Sequence, residues 1–243
     1  WGAGMTGFAE QANHGPKGTT MQHIDDKRLL HHYIETYDLQ NYFTLDLASI
    51  AVLQRYDAGE MLALEGRVCE YIWVLVKGEC MAYVYTTNNK IHCECYFNDV
   101  SLLGEAATMW DEAPMNNIRT LTECDFVAIS AVKYREALLN DNKFLRFAAR
   151  TLALHVRKNV VHFDPLETRL ANFILSAEKN GVFRYNLTQC ADIMETSYRH
   201  LIRVLSMMCD SGILTKGERG DYHIADADRL EQGGKGDIGL KEQ

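Results

Sequence analysis

The stretch LTQCADIMETSYRHLIRVLSMMCDSGIL, residues 187–214, decides how this chain folds. Leu187, Ala191 and Met194 recur at helical spacing, and Leu201, Val204, Leu205 and Met208 do so again further on. Between the two runs stands Glu195-Thr196-Ser197, and serine is a residue type that caps a following helix. The pattern predicts helix, turn, helix. Burying the second apolar stripe turns Tyr198, Arg199, Ile202, Arg203 and Ser206 outward, with His200 on the flank. That face carries two guanidinium groups and no carboxyl. A helix fits the major groove, and arginine grips guanine edges or phosphates, so double-stranded DNA is the expected partner.

Two arginines one helical turn apart are ordinarily a solvated surface. Residues 161–221 hold seven Lys and Arg against eight Asp and Glu, so charge alone does not argue for nucleic acid. The continuation GILTKGERGDYHIAD tips the balance. It reads as a strand, a glycine-bounded tip over 217–220 and a returning strand, which completes a winged helix-turn-helix. Lys216 and Arg219 on that wing are placed to touch phosphates.

Working back along the chain, KYREALLNDNKFLRFAARTLALHVRKNVVHF predicts a long connecting helix over 133–160. Leu145, Ala148, Leu152, Val156 and Val160 form one apolar face, and Phe144, Phe147, Thr151 and Leu154 mark a second. Two faces need two partners. One packs on the preceding domain, and the first suits a symmetric helix pair in a homodimer. Earlier still, residues 49–130 change texture: IAVLQRYDAGEMLALEG, YIWVLVKGECMAYVYTTNNKIHCECYF and CDFVAIS are short β-rich runs divided by turn residues, as in a small barrel or sandwich. Leu29, Leu30, Tyr33 and Ile34 suggest a short amphipathic helix before them, on which His31 and His32 point apart and read as exposed imidazoles.

The bulk numbers fit this plan. A chain of 243 residues, 47% hydrophobic, holds one large or two ordinary domains, and the net charge is -8. No run of about 18 apolar residues is available to span a bilayer, so no membrane partner is expected. The glycine-rich start WGAGMTGFAEQANHGPKGTT lacks the apolar centre of a signal peptide and reads as a flexible leader over 1–20, in a soluble, cytoplasmic protein. Residues 231–243 read as a flexible tail. Seven cysteines (69, 80, 93, 95, 124, 190 and 209) are odd in number and lack a secreted or zinc spacing; reduced core thiols are expected, with a metal or redox sensor as the sharper alternative. Cys93 and Cys95 share a face if their segment is a regular strand.

A β-roll containing GEAATMWDEAP, then a long helix, then LTQCADIMETSYRHLIRVL, resembles the Crp/Fnr superfamily of bacterial transcription regulators over roughly residues 25–230, and SYRHLIRVLSMMCDSGIL with LLNDNKFLRF is most similar to its YeiL branch. The resemblance implies an α+β architecture. An N-terminal cyclic-nucleotide-binding-like β-roll (jelly roll) spans 21–132 and senses an effector; the helix over 133–160 dimerises; a winged helix-turn-helix over 161–230 binds a palindromic operator. RNA polymerase is a further partner the family implies. The DNA-reading positions fall on Tyr198, Arg199 and Arg203, with Ser197 as cap and Ser206, Lys216 and Arg219 beside them. Glu195 replaces the small residue usual in the turn.

For the effector, Gly104 and Glu105 match the family's ribose-binding pair. Met115, Asn116 and Asn117 stand where its phosphate-binding arginine pair would be, and Arg119 substitutes only if the strand register turns it inward. A buried phosphate without a cation loses on the order of several kcal/mol, so the effector is expected to be a small molecule or redox signal other than cyclic AMP. The N-terminal cysteine cluster of the iron-sulphur members is lacking in residues 1–60, and no haem attachment motif occurs, so the cofactor stays open. Two other classes compete. A cupin-like enzyme would pair histidines around a metal, but His92 lacks its second histidine, so no enzyme is expected. A ligand-binding module acting on a protein partner without DNA is the remaining alternative.

Overall fold

The computed structural model describes residues 21–86, 91–161, 164–218 and 220–236, without the side chains of 156–161. The expected leader over 1–20 therefore lies outside the described residues, as do Arg219 and residues 237–243. The described residues begin with β1 (Gln22–Ile24), α1 (Lys27–Thr36) and the one-turn α2 (Leu47–Ile50). The β-roll follows as β2 (Ala51–Tyr56), β3 (Met61–Ala63), β4 (Tyr71–Lys77), β5 (Cys80–Tyr85), β6 (Ile91–Phe97), β7 (Ser101–Leu103), α3 (Glu105–Trp110), β8 (Asn117–Thr120) and β9 (Cys124–Ser130). The strands form two antiparallel sheets, β1-β2-β9-β4-β7 and β3-β8-β5-β6.

Strand alternation sorts the apolar residues of β4 and β9 into two cores. Trp73, Leu75, Phe126 and Ala128 point between the sheets and meet Ala82, Cys95, Phe97 and Leu103. Ile72, Val74, Val127 and Ile129 point the other way, onto Leu30, Ile34, Phe43 and Phe144. Continuous apolar strands here mean burial on both faces. His31 and His32 of α1 are both exposed.

One regularity fails on β6. Ala82 pairs with Cys95 but Tyr83 pairs with Cys93, so Glu94 is an extra residue in a bulge. The bulge resets the alternation. Cys95 joins the core between the sheets while Cys93 faces the opposite side, so the two cysteines do not share a face.

The single connecting helix expected over 133–160 is two helices, α4 (Ala131–Leu139) and α5 (Asn142–Val161). Asp141 makes the break. Its Oδ1 accepts from the N–H groups of Lys143 and Phe144 at 2.9 and 3.3 Å, as a cap for α5, while Oδ2 accepts from Thr44 and Leu45 at 2.6 and 3.3 Å. On α5, Phe144, Ala148 and Thr151 are buried against the chain's own β-roll, and Leu145 and Phe147 flank them. Ala148 was expected on the dimer face and is fully covered within one chain.

The last region contains α6 (Leu166–Ala177), β10 (Val182–Phe183), α7 (Leu187–Ile193), α8 (Tyr198–Asp210), β11 (Leu214–Lys216), β12 (Tyr222–Ile224) and α9 (Ala227–Gly234). β11 and β12 form the expected hairpin, with Leu214 opposite Ile224 and Lys216 opposite Tyr222, and β10 adds a third strand. Helix α9 packs on α6: Leu230 is fully buried, and Asn172 Nδ2 donates to Gly234 O at 2.9 Å. Residues 231–234 therefore belong to the fold rather than to a tail. This region sits on the outer face of the four-stranded sheet, where Met61, Met81, Tyr83 and Cys93 share a core with its helices. Among the described residues no helix is long and apolar enough to cross a membrane.

Candidate DNA-reading face and effector cavity

The helix-turn-helix forms as the stripes require. Asn186 Oδ1 accepts from Thr188 and Gln189 to start α7, and Ser197 Oγ accepts from the N–H of His200 at 3.2 Å to start α8. Leu201, Val204, Leu205 and Met208 are all fully buried, and each such side chain contributes about 1.5–3 kcal/mol toward holding α8 in place. Glu195 adopts φ +49° in the turn, a left-handed conformation that costs a non-glycine residue about 1 kcal/mol.

Tyr198, Arg199, Arg203 and Ser206 are exposed together along one side of α8. Ile202 is half-buried, and His200 Nδ1 lies 3.3 Å from Thr196 Oγ1. Neither arginine has a hydrogen-bond or ion-pair partner among the described residues, so both guanidinium groups are unspent. Lys216 is exposed at the end of β11.

The β-roll encloses a cavity of about 280 Å³ beside α3. Gly104 enters it at φ +82°, and a Cβ there would come within 2.9 Å of the Tyr71 carbonyl, so only glycine fits. Glu105 follows, 4% exposed, and burial pushes its carboxyl up to about 7 against the pull of its own backbone N–H. His155 from α5 sets Nδ1 3.5 Å from Glu105 Oε1. Across the cavity, Asn116 Nδ2 donates to Glu94 Oε2 at 2.8 Å, an arrangement that the β6 bulge permits.

Gly104, Glu105 and Asn116 line the cavity; Asn117 and Arg119 do not. On β8 it is Ile118 that faces in, and period-two alternation sends its neighbours out. Asn117 Oδ1 accepts from Glu65 N at 3.1 Å. Arg119 donates to Asp192 Oδ2 of α7 at 2.9 Å and lies over the Tyr83 ring, 5.3 Å from its centre. It is a link between domains. Sequence reasoning missed Glu94, Glu112, Trp110 and His155, and it assigned the lining residue Leu152 to the dimer face. The expected stripe is therefore divided: Leu145 and Ala148 pack inward, Leu152 meets the cavity, and the side chains of Val156 and Val160 lie outside the described residues.

All seven cysteines are free thiols, five of them buried. Burial raises Cys69 and Cys124 to about 11 and Cys190 to about 12, far from thiolate reactivity. Among the described residues no three His, Cys, Asp or Glu gather as a metal site.

Residues 53–141 match the family model of the cyclic nucleotide-binding domain, and residues 168–232 match that of the Crp-like helix-turn-helix domain. Together with the geometry this defines a class: a β-roll of the cyclic-nucleotide-binding type joined to a DNA-reading winged helix. The chain is 28% identical over 183 residues to Regulatory protein YeiL of Escherichia coli O157:H7, covering 73% of this chain and 84% of that protein. It belongs to the Crp/Fnr family of transcription regulators. Its fold is similar to that of FixK2 from Bradyrhizobium japonicum, with TM-score 0.63 and 15% identity over 80% of this chain and 98% of that one. It is also similar to a CRP-family transcriptional regulator from Thermus thermophilus, with TM-score 0.61 and 16% identity over 74% and 96% of the two chains.

Proposed function

We propose that the protein is a cytoplasmic, homodimeric regulator that reads a palindromic operator through α8 and answers to a small molecule held in the β-roll cavity. The observation that carries this is the face of Tyr198, Arg199, Arg203 and Ser206, exposed on a capped helix with both arginines unpartnered among the described residues. Guanidinium groups so presented are free to bind base edges, and Lys216 of the wing flanks them for a phosphate. Dimerisation uses the side of α5 that the β-roll leaves open, marked by Ala149, Ala153 and Leu154, because small residues let two helices approach closely. Leu152 and His155 of the same helix line the cavity, so a bound molecule bears directly on how two copies of α5 pair and space their recognition helices. Cyclic AMP is not that molecule, since among the described residues no lysine or arginine lines the cavity to meet its phosphate. Selection of duplex fragments from a random pool by the purified protein tests the reading. Enrichment of a two-fold symmetric sequence is expected, and recovery of unenriched DNA overturns it.

A further inference from the structure

We infer that the cavity takes a compact organic amine carrying a flat apolar body, a deepening that rests on the effector reading above. Among the described residues its polar side chains are three carboxyls, Asn116, His155 and the thiols of Cys69 and Cys95, with no lysine or arginine. Glu94, Glu105 and Glu112 contribute three carboxyl groups, while Arg119 faces away from the cavity onto Asp192 and Arg135 pairs with Asp111 at 3.2 Å. An anion entering here would give up its hydration for surroundings of its own sign. A cation would find the reverse.

The walls specify the rest of the ligand. Phe97, Leu103, Met115, Ile118 and Leu152 give an apolar slot, and Trp110 stands at its margin, 71% exposed, where an aromatic face can cover an ammonium group. A volume of about 280 Å³ is at the small end of ligand pockets and suits one ring system with a short side chain. The bulge at Glu94 is the specific device. A regular strand would place residue 94 on one fixed face, whereas the extra residue lets its carboxyl reach Asn116 at the cavity wall.

Glu105 adds a signature. Around it stand His155 from α5, Glu94 and Cys95 from β6, Cys69 before β4 and Glu112 after α3. Its carboxyl, raised to about 7 by burial, is only about half ionised in the empty site near neutral pH. An arriving ammonium group favours the ionised form, so the proton leaves as the amine binds.

Tryptamine, indole-3-acetate and 3-ethylindole share one ring and differ in charge, which makes them the probes, with cyclic AMP as a fourth. Titration calorimetry on the full chain at neutral pH, in two buffers of different ionisation enthalpy, is expected to show saturable tryptamine binding with proton release. Indole-3-acetate should bind about 100-fold more weakly or worse, with 3-ethylindole between them. Glu94→Gln should lower the amine preference about tenfold while 3-ethylindole binding persists, which also reports an intact cavity. Glu105→Gln should abolish the proton release. The inference is overturned if indole-3-acetate or cyclic AMP binds as well as tryptamine, if Glu94→Gln leaves the preference intact, or if tryptamine shows no saturable binding. Duplex selection on the same preparation reports separately: an enriched palindrome with a cavity that takes the anion keeps the regulator and removes the amine.

Discussion

His92 on β6 sets its Nδ1 2.9 Å from Oε2 of Glu195, the residue that turns the chain between α7 and α8. Two positions further along the same strand, Glu94 borders the β-roll cavity. One strand therefore touches the cavity on one side and the helix-turn-helix on the other. Around this contact Arg119 meets Asp192, Tyr185 donates to Glu79 Oε2 at 2.8 Å, and the Tyr96 ring lies edge-on to Phe173 at 5.3 Å. The DNA-reading domain is docked on the roll by polar links around an apolar centre, with its recognition face left open.

Arg119→Ala tests the reassignment of that residue from effector site to domain link. Its side chain is 24% exposed and that of Asp192 34%, so solvent screens the pair in part and its loss should weaken docking by about 0.5–1 kcal/mol. Amide exchange in α7 and β6 should then quicken about two- to fivefold, while ligand binding in the cavity stays unchanged. Unchanged exchange with altered ligand affinity would restore the effector assignment.

Asp141 supports a prediction with a pH dependence. Burial opposes its ionisation, but hydrogen bonds from Thr44, Phe144 and Leu45 outweigh that and hold its carboxyl below the ordinary 3.8. The stabilisation is fully present above that ordinary value and fades as pH falls through the lower folded one. Asp141→Ala should cost about 2–4 kcal/mol at pH near 7, because it uncaps α5 and strands the N–H groups of Thr44 and Leu45. Urea unfolding should show the gap between the two proteins narrowing in acid. A gap that is constant with pH would assign the loss to packing instead.

What the sequence disclosed follows from the range of the interactions involved. The stripes of α7 and α8 and the caps at Asn186 and Ser197 are local, so the helix-turn-helix was readable from spacing alone. The break at Asp141 was hidden because half of its partners, Thr44 and Leu45, lie 97 and 96 residues away. Periodicity gave α5 two apolar faces but could not say which one the roll covers, and Ala148 was placed on the wrong one. Arg119 illustrates a different limit. Alternation on β8 is plain, yet whether odd or even positions face inward is set by pairing with β5, where Arg119 stands opposite Met81. Nothing in the composition of HCECY announces a bulge at Glu94, and His155 comes to the cavity from a helix some fifty residues beyond Glu105 in the chain.

The open side of α5 makes a prediction about assembly. Ala153→Glu introduces a carboxyl group at an exposed position, which the isolated chain tolerates, but across a two-fold axis it places like charges together. Sedimentation at micromolar concentration should show dimer becoming monomer with the unfolding midpoint little changed for the monomeric fold. A variant that still sediments as a dimer would move the interface away from this helix.

The last prediction separates reading from gripping. Arg199 lies in the first turn of α8, exposed and unpartnered among the described residues, with Arg203 one turn on; Lys216 stands on the wing. Arg199→Ala should cost about 1–3 kcal/mol on the selected operator and relax preference at one base pair of each half-site, since a bidentate guanidinium carries that discrimination. Arg203→Ala should behave similarly if it reaches a base and uniformly if it reaches a phosphate. Lys216→Ala should weaken every sequence alike and lower the slope of log affinity against log salt by about one unit for each phosphate the lysine grips. Affinities across a panel of single-base operator variants, each at several salt concentrations, distinguish the two behaviours. Should Arg199→Ala leave the preference profile intact, α8 does not read bases, and its arginines are solvated surface on a domain that acts by some other contact.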